Sequence, residues 1–245
     1  MNPPPKRIQA LLLDWAGTTI DFGSRAPAEV FAEIFRRRGI EITEAEARGP
    51  MGMAKREHIA AVLAVPRIAT LWQERFGRAG TDEDVQALYD DFLPLQKEVL
   101  ARFVELIPVV HEMTAACRAA GVRIGSTTGY TRALMEIVAP LAAAQGYKPE
   151  VIVCADDVPR GRPAPWMLLR AAEALDVFPL ETIAVVDDTP VGIQAGRAAG
   201  MVCIALAGSG NALGLSRAEY EALTPPEREA PLAPIRREFQ RLGAH

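Results

Sequence analysis

Five short apolar runs stand out along the chain. They are Ile8–Leu13 (IQALLL), Val122–Gly125 (VRIG), Val151–Cys154 (VIVC), Ile183–Val186 (IAVV) and Met201–Leu206 (MVCIAL). None alternates with polar positions, which is the pattern of strands buried on both faces. Helix-like stretches lie between the later runs. VVHEMTAACRAAG precedes the second and TRALMEIVAPLAAAQG follows it, with Thr131 as the expected N-cap; PWMLLRAAEALDV follows the third and PVGIQAGRAAG the fourth. Strand–helix alternation predicts an α/β fold, a Rossmann-like parallel sheet flanked by helices.

The interval from Asp21 to Glu105 breaks that rhythm and reads as helices only: AEVFAEIFRRRG, AKREHIAAVL, IATLWQERFG and TDEDVQALYDDFLPLQKEVLARF. It is read as an inserted all-helical cap domain, residues 21–104, with 1–20 and 105–245 forming the core domain. The apolar face of Val30, Phe31, Ile34 and Phe35 serves either an interface or the cap's own packing. The polar tail after Gly214, with Pro225-Pro226, is expected to wrap the surface.

Composition narrows the class. Hydrophobic residues make up 49% and charged residues 24% of 245, an ordinary globular balance. The net charge is −4 and there is no basic block, so no nucleic-acid partner is expected. Cys117, Cys154 and Cys203 lie far apart with no CxxC pair, which argues against a disulfide scaffold, a zinc site or an iron–sulfur cluster. MNPPPKRIQALLLDW resembles the start of a signal peptide, but Asp14 interrupts its apolar run and no small-residue cleavage site follows. No run approaches the roughly 18 apolar residues of a membrane span. A soluble cytoplasmic protein with a small-molecule substrate and no membrane partner is expected.

Candidate chemistry gathers where strands end. The first run ends in DWAGTT (Asp14–Thr19) and the second in STTGY (Ser126–Tyr130). ADDVPRGRP (Ala155–Pro163) follows the third, and the fourth ends in DDT (Asp187–Thr189). In an open parallel sheet these ends share one crevice where ligands bind. Caps and turns explain each cluster singly, but not why acids, hydroxyls and an arginine converge. Asp14, Asp187 and Asp188 would be neighbours, and like charges that close raise a pKa or demand a cation. Mg²⁺ suits hard carboxylate oxygens. The Thr127 and Thr128 hydroxyls, the Gly17 turn amides and Arg162 suit a phosphoryl dianion. The crevice therefore reads as metal plus anion.

DWAGTT, STTG and DDT together resemble the haloacid dehalogenase superfamily. The longer strings DWAGTTIDFGSRAP, RGPMGMAKREHI, GSTTGYTR and DDVPRGRPAPWM resemble its phosphonatase family, cap included. The resemblance implies that Asp14 is a nucleophile that takes up a phosphoryl group. It implies that Lys55, in PMGMAK, forms an imine with an aldehyde substrate. The Asp14 carboxylate, the Ala16 backbone carbonyl and Asp188 would hold Mg²⁺, and Thr128 and Arg162 would bind the phosphoryl group, with Arg160 as the alternative to Arg162. Relatives often carry another acid four residues after the metal-binding Asp. Here Gly192 stands there, and Asp187 is the candidate substitute.

Ordinary phosphatases of the superfamily place a second Asp two residues after the nucleophile to protonate an alkoxide. Here that residue is Ala16. Breaking a P–C bond leaves a carbanion, which an imine drains as an enamine. The implied reaction is hydrolysis of phosphonoacetaldehyde to acetaldehyde and phosphate, in 2-aminoethylphosphonate degradation, by a homodimer. The alternatives are a phosphomonoesterase of the same superfamily and a non-catalytic phospho-ligand sensor. His58, one turn after Lys55, either shuttles protons or is a buried histidine satisfied by backbone. Met51 and Gly52 either lie over the substrate or form a simple turn. Tyr130 either lines the pocket or is structural. Trp15 reads as core by strand alternation.

Overall fold

The computed structural model describes residues 7–244. Residues 1–6, the start of the leader-like stretch, and His245, for which no role is expected, lie outside the described residues. The chain order is β1 (Ala10–Leu13), α1 (Arg25–Arg36), α2 (Glu44–Arg48), α3 (Lys55–Leu63), α4 (Pro66–Phe76), α5 (Asp82–Leu100), α6 (Val110–Ala119) and β2 (Arg123–Thr127). There follow α7 (Arg132–Ala144), β3 (Val151–Val153), α8 (Trp166–Ala174), β4 (Ile183–Asp187), α9 (Pro190–Ala198), β5 (Val202–Ala205), α10 (Arg217–Ala222) and α11 (Pro225–Arg241). All five expected strands form, and they make one parallel sheet in the order β3-β2-β1-β4-β5.

Strand alternation divides the core between the two faces of the sheet. Leu13 and Val186 join Ile124 and the inner sides of α6 and α7 on one face. Ala10, Leu12, Ile183 and Val185 join α8 and α9 on the other. Trp15 is fully buried in the first cluster and donates to Ser126 Oγ at 3.0 Å. Register then sets the rim. Leu13 pairs with Ser126 on one side and Val186 on the other, so the next residue, Asp14, leaves the sheet between β2 and β4. Strand order reverses about β1, the place where open α/β sheets present a crevice.

Helices α1 to α5 have an apolar core of their own. Val30, Phe31, Ile34 and Phe35 pack there with Ile59, Trp72, Leu88 and Phe92, so this face serves internal packing. Phe31 stacks on Phe92 with ring centroids 4.7 Å apart. Reciprocal capping boxes start α2 (Thr43 with Glu46) and α5 (Thr81 with Asp84), which satisfies N–H groups that helix starts leave bare. At five residues, α2 is too short to carry an apolar period in the sequence.

One expectation holds in position only, and another is corrected. Thr131 occupies the N-cap of α7, but its hydroxyl makes no capping bond. The Asp156 carboxylate accepts from Arg132 N instead, at 2.9 Å. The tail does more than wrap the surface: Pro225 and Pro226 open α11, where a missing N–H costs nothing. Leu232 and Phe239 on α11 are buried, and Phe239 packs with Ile193 and Cys203. Among the described residues no helix is long and apolar enough to cross a membrane. Phe239→Ala is expected to cost about 3 kcal/mol in a urea unfolding curve, as for other buried aromatics. A loss near zero would show that the tail is not docked.

Candidate active site

The expected acids do meet. Oxygens of Asp14, Asp187 and Asp188 lie within 4.8 Å of one another, and all three residues are buried. Arg162 enters from the loop after β3. Its Nη1 lies 2.8 Å from Asp14 Oδ1 and 3.2 Å from Asp187 Oδ2. Its Nη2 donates to Thr127 Oγ1 at 2.7 Å and Thr127 O at 3.1 Å. Arg160, the alternative, is exposed.

Burial drives the electrostatics. It raises the Asp14 carboxyl to about 6, with Arg162 pulling the other way and Asp187 adding to the rise. Asp188 is held well above the usual carboxylate range by burial and then by its two acidic neighbours. Burial opposes the Arg162 charge, yet Asp14 and Asp187 hold its proton more firmly than usual. Ionising all three acids against one guanidinium would leave negative charge uncompensated, which is why burial and their mutual repulsion push Asp14 and Asp188 upward. Carboxylate oxygens are hard donors, so the group fits a divalent cation.

Each acid is oriented separately. Asp188 accepts from Thr18 Oγ1 at 2.9 Å and from Asn211 N at 2.7 Å. Asp187 accepts from Thr189 N at 2.9 Å and Thr189 Oγ1 at 2.7 Å, besides its contact with Arg162. Gly192 explains why Asp187 fits. A Cβ built there would fall 2.0 Å from Asp187 Cγ, so the missing side chain is the space the acid fills.

Lys55 opens α3 and reaches the same cavity from the other side. Asp14, Ala16, Met51, Gly52, Lys55, Thr128, Tyr130 and Arg162 line it together, in a space of about 20 Å³. That is room for about one water. Lys55 is 5% exposed, and its Nζ sits 5.0 Å from the Tyr130 ring centre and 5.6 Å from that of Phe31. Burial lowers its pKa to about 8, Asp14 opposes the shift and Arg162 adds to it. The bare amides at the start of α3 also disfavour an ammonium there.

The segment carrying Met51 and Gly52 is pressed onto the sheet rim. Gly52 has φ +91°, and a Cβ there would lie 2.5 Å from Thr189 Oγ1. A Cβ on Gly129 would lie 2.8 Å from Met53 O. Glycine permits both the left-handed turn and the close approach. Thr128 Oγ1 is itself used, accepting from Tyr130 N at 3.0 Å.

His58 is the exception and a correction. It does not line the cavity. Its Nε2 lies 2.8 Å from Ala47 O and its ring stacks on Phe31 at 3.7 Å. Burial and then the Lys55 charge lower its pKa to about 3, which keeps the ring neutral, and its buried Nδ1 has no hydrogen-bond partner among the described residues. The helix spacing puts it below Lys55, inside the helical core rather than at its surface.

Four lining residues were not singled out from the sequence: Ser24, Pro27, Gly129 and Thr189. All four lie inside the family strings, Ser24 and Pro27 in DWAGTTIDFGSRAP, Gly129 in GSTTGYTR and Thr189 in DDT. Ser24 is buried with φ +50°, a backbone state that no feature of its residue type announces.

A buried acid cluster with a phosphate-type arginine, set at the switch point of a parallel sheet under a helical lid, defines a hydrolase of the haloacid dehalogenase type. The family model for haloacid dehalogenase-like hydrolases matches residues 8–200. The chain belongs to that family and, within it, to the phosphonoacetaldehyde hydrolases. It is 44% identical to the phosphonoacetaldehyde hydrolase of a Bacillus cereus strain over 239 residues, covering 98% of this chain and 90% of that one. It is 46% identical to that of Paraburkholderia phytofirmans over 222 residues, covering 91% and 83%. A crystal structure of a phosphonoacetaldehyde hydrolase-like protein from Oleispira antarctica superposes with a TM-score of 0.95 at 41% identity. It covers 100% of this chain and 90% of that one. A β-phosphoglucomutase from Clostridium difficile shares the fold alone, with a TM-score of 0.67 at 14% identity.

Gly192→Ala is expected to destabilise the protein by about 1–3 kcal/mol through overpacking against Asp187. In an Asp187→Ala background that cost should vanish in urea unfolding curves. Equal costs in both backgrounds would show that the two residues do not share the space.

Proposed function

We propose that this enzyme hydrolyses the P–C bond of phosphonoacetaldehyde to acetaldehyde and phosphate, with Lys55 as imine former and Asp14 as nucleophile. One observation carries the reading. A buried amine with a lowered pKa shares the cavity of Asp14, while Ala16 stands where a phosphatase needs its acid. The relatives' names supply the substrate.

Lys55 Nζ adds to the aldehyde carbon and water leaves, giving a protonated imine. An Asp14 carboxylate oxygen attacks phosphorus in line, and the P–C bond breaks. Its electron pair moves to the iminium nitrogen through carbon, giving an enamine in place of a carbanion. Arg162 faces the charge that grows on the phosphoryl oxygens. One water then hydrolyses the aspartyl phosphate. The enamine takes a proton at carbon, and a second water hydrolyses the resulting iminium and frees acetaldehyde. Net consumption is one water.

Asp14, Asp188 and the Ala16 carbonyl would hold Mg²⁺, which supplies a positive centre for phosphoryl oxygens. The helices α1–α5 cover this cavity and act as a cap that opens to admit the substrate. A phosphomonoesterase is disfavoured because nothing at position 16 protonates an alkoxide. The family resemblance also supports a cytoplasmic homodimer working after removal of the amino group from 2-aminoethylphosphonate.

Borohydride with phosphonoacetaldehyde should fix a two-carbon adduct on Lys55, located by mass spectrometry. Lys55→Arg should abolish both adduct and turnover; full turnover in that variant would end the imine role. Because the free amine is the reactive form, trapping should rise with pH about a midpoint near 8. A midpoint near the ordinary value of 10.5 would mean that the amine is not buried when it reacts. Asp14→Ala should lose phosphate release by at least about 10³-fold, in the range of lost nucleophiles, with an unchanged circular dichroism spectrum.

A further inference from the structure

The loop between β5 and α10 lines none of the cavity, yet it is bonded to the turn after β1, to the entry to α1 and to Asp188. Ser209 Oγ donates to Gly17 O at 2.9 Å, beside the nucleophile. Gly23 N donates to Ser209 O at 2.8 Å, where the chain leaves the sheet for α1. Asn211 N donates to Asp188 Oδ2 at 2.7 Å.

The same loop receives one side chain from the helical block. Arg48 ends α2, and its carbonyl accepts from Met51 N at 3.0 Å at the start of the segment leading to Lys55. Its Nη1 donates to Gly23 O at 2.7 Å, Ser24 O at 3.3 Å and Asn211 Oδ1 at 3.2 Å. Its Nη2 donates to Gly214 O at 3.2 Å. Asn211 answers from the other side, Nδ2 donating to Arg48 O at 3.1 Å. Nε pairs with Glu44 at 2.8 Å, and only 11% of the side chain is exposed. The seat is shaped for it: Gly214 has φ +69°, and a Cβ there would lie 2.9 Å from Arg48 Nε.

We propose that Arg48 and Asn211 are positioning residues, a two-sided latch that fixes the Met51–Lys55 segment over Asp14 and ties it through the Asn211 backbone amide to Asp188. The latch rests on the roles given above to Asp14 and Lys55. Between α2 and α3 the segment has only turn bonds of its own, Met51 N to Arg48 O and Met53 N to Pro50 O at 3.3 Å. Met51 anchors the segment in the helical core, and the grip on Arg48 ties its start to the sheet rim. A guanidinium spreads five donors over a plane and reaches acceptors on three separate stretches. An ammonium on a lysine stem is a single point and does not. Loosening the latch lowers the fraction of molecules in the closed arrangement, and the apparent affinity falls by the same fraction.

The test uses the full-length protein and the variants Arg48→Lys and Asn211→Ala. The second keeps the backbone amide on Asp188 and removes both side-chain bonds. Amides of residues 49–55 should exchange with deuterium about tenfold faster in both variants, while peptides from β1 and β4 stay unchanged. KM for phosphonoacetaldehyde should rise about tenfold with kcat within about threefold of wild type, the signature of a lost closed population. Unchanged exchange in 49–55 overturns the latch, and so does exchange that speeds up equally across the core. If Arg48→Lys does not fold, Asn211→Ala decides by the same readings. The exchange arm judges the latch even if the wild-type enzyme fails to turn over phosphonoacetaldehyde, which would instead sink the assigned reaction.

Discussion

Everything at the sheet rim answers to one problem, the burial of three carboxylates around a single guanidinium. Arg162 bridges Asp14 and Asp187 with one nitrogen and grips Thr127 with the other. Removing one partner from a buried pair typically costs about 3–5 kcal/mol, because the other charge is left bare in a poor dielectric. The arrangement persists because each acid is also held by fixed donors: Thr18 and the Asn211 amide on Asp188, Thr189 on Asp187. Ionising all three acids calls for a cation. The arginine is ready for an anion. A phosphorus centre that needs neutralisation from both sides meets both in one place.

Around Lys55 the helical block meets that rim closely because side chains are absent there. Gly52 and Gly129 let two backbones come closer than any Cβ allows, and Gly192 surrenders its volume to Asp187. Close approach leaves little space for water around Lys55. Water is what normally keeps a lysine charged. The two rings flanking the amine favour its cation, but they are a weaker influence than the loss of hydration.

The features legible in the sequence were those that repeat or cluster. The strands announced themselves because burial on both faces leaves unbroken Val, Ile and Leu runs, and Asp14, Asp187 and Asp188 because they end such runs together. The family strings marked Lys55 although its helix starts without a capping side chain. Features that depend on a distant partner were hidden. His58 has the right spacing for the site, but spacing fixes only the helix face, and Phe31 with Ala47 claimed the ring. Asn211 lies in a stretch of Gly, Ser and Ala with no chemistry nearby in sequence; its meaning comes from Arg48, 163 positions away. The tail looked polar because its two buried residues, Leu232 and Phe239, are diluted among charges.

These observations join into a single dependence of reactivity on shape. The lowered pKa of Lys55 comes first from burial, and that burial exists only while the segment before α3 lies against Gly129 and Thr189. An opened lid returns the amine to water, where it is protonated and inert toward carbonyl compounds. Under the proposed reaction, closure raises the share of free amine in the same movement that brings it into the cavity of Asp14. An amine fixed permanently on the sheet rim would face the acids and Arg162 at all times, and its pKa would be set by that balance of charges instead of by solvent. Under the proposed reaction, carrying Lys55 on a separate set of helices links imine formation to the exclusion of water from the carbanion-forming step.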